Sequence, residues 1–106
     1  MVALSAKEKW LIDAGASFIQ PLQQRAWAHW SSSLENQLSS VRAVQIPVPI
    51  AEIALSALSA LADHIKRDLD NPAISEDDED GLFNDLEATQ NAVTFFAREL
   101  GHIPRA

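Results

Sequence analysis

Cysteine is absent from the 106 residues, which excludes disulfides, thiolate metal sites and a cysteine nucleophile. Glycine occurs three times, and no Gly-rich stretch is present to cradle a phosphate. The eight Lys and Arg residues are scattered in ones and twos, from Lys7 and Lys9 to Arg98 and Arg105. Nucleic-acid binding needs a concentrated basic face, so it is not expected. No apolar run approaches the ~18 residues of a membrane span, and the opening MVALSAKEKW has no apolar core of signal-peptide length. These absences point to a soluble, cytoplasmic protein without a membrane partner.

A hydrophobic content of 47% is enough to bury one core, and 106 residues make one domain. The bias towards Ala, Leu, Gln, Glu and Ser favours helices over strands. Charge is concentrated. Glu76, Asp77, Asp78, Glu79, Asp80, Asp85 and Glu87 are seven of the fifteen acids. The other eight acids balance the eight bases, so the net charge of −7 belongs to one short segment.

Along the chain, Ser5-Ala6-Lys7-Glu8 forms a capping box and starts a helix. Its apolar positions Leu11, Ala14, Gly15, Phe18 and Leu22 share one face. Pro21 removes a hydrogen bond and crowds the preceding turn, so a kink or break is expected near Gln20. Beyond it a second stripe, Trp27, Trp30, Leu34, Leu38 and Val41, lies roughly 140° around the axis from the first. Either the chain bends so that both stripes reach one core, or one half packs outside the protomer. A kink combined with a self-association surface is the favoured expectation. Residues 40–49 (SVRAVQIPVP) alternate apolar and polar and carry two prolines, which fits an extended connector with at most one pairing edge.

The next helix should begin near Pro49 or Ile50. Ala54, Ala57, Leu58, Leu61, Ala62, Ile65 and Leu69 make its apolar face, and Asn71-Pro72 ends it. Ser75 then caps a final helix whose acidic first turn suits the helix dipole. Leu82, Leu86, Thr89, Val93, Phe96 and Leu100 repeat at heptad spacing. A second strip, Ala88, Ala92 and Phe95, lies nearly opposite. A helix apolar on two sides is expected at the centre of a bundle. Gly101 is placed for a left-handed end, with Ile103 available for an apolar contact and Pro104 barring continuation.

The expected fold is all-α: a small bundle of three helices, or four if Pro21 breaks the first, with an antiparallel C-terminal pair. As one domain over 1–106, it would carry a helix over about 6–39 kinked near Pro21 and a connector over about 42–49. Helices over about 50–70 and 76–100 would complete it.

Three features are candidates for function. The acidic segment resembles an EF-hand calcium loop, with Glu76, Asp78 and Asp80 at positions 1, 3 and 5, Gly81 at 6, Asn84 at 9 and Glu87 at 12. It departs from that pattern at Glu76, where Asp is usual. The resemblance implies calcium as ligand; without it, the acids are a solvated helix start and no cofactor is expected. Trp27 and Trp30 are the second feature, because tryptophan buries a large area while keeping a polar N–H and so anchors both interfaces and cores. Third, His29, His64 and His102 sit on separate segments without metal-pair or triad spacing, so no enzyme activity is expected. The leading expectation is a non-enzymatic interaction protein, an adaptor, inhibitor or small assembly subunit. It would form a homodimer and engage a basic protein partner through Trp27, Trp30, Phe95 and the acids Glu76, Asp77, Asp78, Glu79 and Asp80.

Overall fold

The computed structural model describes residues 1–102. The element order is β1 (Val2–Ser5), α1 (Ala6–Gly15), a 3-10 turn (Ala16–Phe18), α2 (Pro21–Leu38), β2 (Ala43–Ile46), α3 (Val48–Leu69) and α4 (Glu76–Glu99). It is a small helical bundle of four helices with an antiparallel α3–α4 pair and one two-stranded ribbon, counted among the described residues.

The expected capping box is formed. Ser5 Oγ accepts from the Glu8 backbone N–H at 3.3 Å, and the Glu8 carboxylate accepts from the Ser5 N–H at 3.2 Å. At Pro21 the chain breaks rather than kinks. Gln20 is extended at φ −62°, ψ 146°, and Pro21 becomes the first residue of α2, where its missing N–H costs nothing. A straight helix over residues 6–38 would run ~50 Å, longer than the 41 Å long axis of the molecule. The break turns α2 back, so that Trp27 and Leu34 reach the same core as Leu11 and Ile12. Phe18 and Leu22, from the first stripe, are left exposed by the same turn.

Residues 43–46 use their pairing edge on the chain's own first residues. β1 and β2 run antiparallel, with Val2 opposite Ile46 and Leu4 opposite Val44. Val2, Leu4 and Ile46 face inward and are fully buried, which gives the ribbon one apolar face on the core. Pro47 ends the strand and caps α3, which starts two residues earlier than Ile50, with Pro49 in its first turn.

The centre of the bundle is α3, not α4. Eight of its residues are buried: Ile50, Ala51, Ala54, Ala57, Leu58, Leu61, Ala62 and Ile65. It packs against α1, α2, the 3-10 turn and α4, whereas α4 packs chiefly on α3 alone. Small side chains explain the difference. Ala51, Ala54 and Ala57 have no exposed surface, and Gly15 sits so close to α3 that an added Cβ would overlap the Ala57 carbonyl and press on Leu61. By length and hydropathy α3 matches a membrane span, but its apolar face is this core.

The α4 helix is closed at both ends as its sequence suggests. Ser75 Oγ accepts from the Asp78 N–H at 3.2 Å. At the far end Gly101 takes φ +79°, the His102 N–H donates to Ala97 O at 2.8 Å and the Gly101 N–H to Arg98 O at 3.1 Å, the paired bonds of a Schellman ending. Ile103 and Pro104, to which further roles were assigned, lie outside the described residues. His102 Nε2 also lies 3.0 Å from Glu52, tying the end of α4 to the start of α3.

Candidate interaction surface

Five exposed or half-buried residues open α4, and they do not wrap an ion. Glu76–Glu99 is one continuous helix, and Gly81 lies within it with no turn. At ~100° per residue, Asp78 points to the side opposite Glu76 and Asp80, and Asn84 and Glu87, which share the side of Glu76, are strung out roughly 12 and 16 Å further along the axis, so the set cannot close on one ion. The likeness to an EF-hand loop is therefore one of sequence and not of conformation. The Ser75 cap and the dipole-favoured acids stabilise helix where a calcium loop would need a turn. Among the described residues no three His, Asp or Glu side chains come together as a metal-holding group.

What the helix does with these acids is sort them by flank. Asp77, Gly81, Asp85, Ala88, Ala92 and Phe95 fall within about 80° of arc on one side of α4. Along the first half of this flank lies an open cleft of about 510 Å³ against the end of α3. Four carboxylates border it, Asp68, Asp77, Asp78 and Asp85, with Ile74 and Leu82 among the apolar lining. Along the second half α1 supplies the facing wall. A concavity of about 300 Å³ is lined there by Leu11, Ala88, Ala92 and Phe95, with Lys7 and Glu8 at its edge. Asp85 of the first hollow and Ala88 of the second lie about one helical turn apart on this flank.

At the first hollow Asp77, Asp78 and Asp85 have no basic partner among the described residues. Of the four carboxylates, Asp68 alone is paired, with His64 Nε2 at 3.4 Å. The two nearest cations in sequence face elsewhere. Lys66 borders a cleft on the other flank of α4 with Gln90 and Thr94, and Arg67 lies beside Phe18 and His64. Asp77, Asp78 and Asp85 thus form a patch without compensating charge among the described residues. Such a patch exerts a field that attracts cationic surfaces.

The expected anchors divide. Phe95 is 36% exposed, rests edge-on against Phe96 with ring centroids 5.5 Å apart, and lines the apolar hollow. Trp27 is not available to a partner: it is 2% exposed and its indole N–H donates to Asp13 Oδ1 at 2.7 Å. The break at Pro21 is the reason, because it swings the second stripe into the core. Trp30 is half-buried against that core. Trp10 is 65% exposed beside a hollow bordered by Lys9, Glu35 and Leu38.

Asp13 also ties α1 to α2. Its Oδ2 accepts from Lys9 Nζ at 2.8 Å, and Lys9 lies 3.6 Å from Glu35 as well. Burial alone would push the Lys9 pKa down. The hydrogen bond and charge of Asp13, joined by Glu35, outweigh it and hold the group above its ordinary 10.5.

The histidines stay apart. His29 is exposed, His64 stacks on Phe18 at 4.4 Å, and His102 lies at the end of α4.

Leu11 and Asp68 were missing from the sequence-based candidates. Their place in the site depends on α1 and the end of α3 lying beside α4, which no local pattern encodes. Asp85 carried a usable signal, since it shares a helical flank with Asp77 and Asp78. No family model matches the chain, and neither does any curated protein or solved structure.

Proposed function

We propose that this chain is a non-enzymatic protein–protein interaction module that works through the α1-facing flank of α4. One observation carries the reading: a hollow bordered by four carboxylates and an apolar hollow lie along successive halves of that flank, and the acids from Glu76 to Glu87 have no basic partner among the described residues. A basic protein is the proposed partner, and the cytoplasm is the proposed setting.

Retention from the source cell's extract tests it. Proteins held by the wild type should be lost with Phe95→Ala combined with Asp77→Asn and Asp78→Asn. An unchanged set of retained proteins would end the proposal.

Self-association remains part of the reading, moved to a different residue. Trp10, not Trp27, is the exposed indole, and an apolar ring of that size is a common interface anchor. Sedimentation should show a dimer that Trp10→Ala converts to monomer; a wild-type monomer at high concentration removes this component.

A further inference from the structure

We infer that the occupant of the α4 flank is an amphipathic helix of another protein, basic at one end, its apolar stripe on Leu11, Ala88, Ala92 and Phe95 and its basic end over Asp68, Asp77, Asp78 and Asp85. The inference rests on the interaction reading above and names the class of partner.

Shape supplies the first argument. The flank from Asp77 to Phe95 is continuous helix and about 27 Å long, which matches a helical segment of about 18 residues laid alongside it. A groove between two helices with small residues on its floor is how apolar helix faces are received. Ala88 and Ala92 lie one turn apart there, leaving the groove shallow between Leu11 and Phe95.

Charge supplies the second, and it gives the occupant a direction. The acidic hollow holds four carboxylates and no Lys or Arg among the described residues, whereas the apolar hollow is bordered by Lys7. The neighbouring Glu8 is engaged with Ser5 Oγ at 2.7 Å. A helix basic along its whole length would place like charge against Lys7. One that is basic at a single end meets opposite charge at that end, and like-charge juxtaposition rejects the reversed orientation.

A second copy of this chain does not fit the description. Its adjacent bases Lys66 and Arg67 end α3, whose apolar face is the core of its own bundle. Lys9 is buried between Asp13 and Glu35. No described helix offers a basic end together with a free apolar stripe, so the occupant belongs to a different protein.

The test is fluorescence anisotropy with a panel of labelled peptides of about 18 residues. Each carries Leu at helical i, i+3, i+4, i+7 spacing and Lys or Arg clustered at one end. Scrambled peptides of identical composition are the control. The ordered peptides should bind at least about tenfold more tightly than the scrambled ones. Asp77→Asn/Asp78→Asn/Asp85→Asn should weaken binding about tenfold at low ionic strength and flatten its dependence on salt. Phe95→Ala should weaken it about tenfold at every salt concentration. Asn91→Arg, at an exposed position on the groove edge, should weaken it without touching the core, which covers the case in which Phe95→Ala unfolds. Equal binding of ordered and scrambled peptides overturns the inference, and so does absence of binding by the whole panel. The extract experiment separates the two levels. Retention that depends on Phe95 while every peptide fails leaves the interaction reading in place and removes this one.

Discussion

Charge is handled in opposite ways at the two ends of this molecule. Between α1 and α2, Lys9, Asp13, Glu35 and the Trp27 indole are linked across 2.7–3.6 Å, with Lys9 and Trp27 buried and the two carboxylates at the exposed rim above them. At the start of α4 the acids face solvent, without a cation among the described residues. Pairing locks one helix to the next; absence of pairing leaves a field that points outward. The first arrangement is what a fold uses to hold itself, and the second is what a surface keeps for something else.

The comparison predicts where substitutions will hurt. Trp27→Ala should be the most damaging, at about 3–5 kcal/mol in a denaturant titration, because it empties a large buried site and leaves Asp13 without its indole donor. Gly15→Ala should cost about 1–3 kcal/mol by the same measurement, since the new methyl group has to displace the Ala57 carbonyl. Either variant behaving like wild type would break the claim that the α1–α2 side is packed to its limit.

Alkaline titration sharpens the comparison. The Lys9 pKa is raised in the folded chain, so its contribution to stability is fully present below about 10.5 and is lost as pH climbs through the higher folded value. Lys9→Met should remove that component of the alkaline loss, measured as denaturation midpoint against pH. At the α4 end effects should be small. Ser75→Ala should cost about 1 kcal/mol through its lost cap. Asp80→Asn and Glu87→Gln should change stability by less than about 0.5 kcal/mol. Calcium should leave the melting temperature where it was, because the carboxylates of one helix do not converge on one ion.

Local signals were legible in the sequence, and they account for the starts of α1, α2 and α4 and the ends of α3 and α4. Ser5 with Glu8, Pro21, Asn71-Pro72, Ser75 and Gly101 each act within a turn of their own position, so spacing alone reveals them. Long-range choices were not. The pairing of β1 with β2 joins two four-residue strands, and VALS is too short to announce itself as one. The two-sided apolar pattern of α4 suggested a central helix. Its second strip instead lines a groove, because Ala51, Ala54, Ala57 and Gly15 draw α1 onto α3. Trp27 and Trp30 could not be assigned from their spacing, since core and interface ask for the same side chain. Pro21 decided the matter by setting the direction of α2. The acidic segment gave up its charge but not its arrangement: the resemblance to a calcium loop ignored how well the same residues start a helix.

The ribbon has a consequence for the order in which the chain is made. Val2 leaves the ribosome about 40 residues ahead of Ile46, its partner in the ladder. During that interval Val2 and Leu4 have no pocket to enter, and α1 has no α3 to lie against. Closing a loop of that length is entropically modest but must precede the contacts that reward it. The bundle can therefore assemble only once β2 and α3 have emerged, which makes the middle of the chain the latch for its beginning.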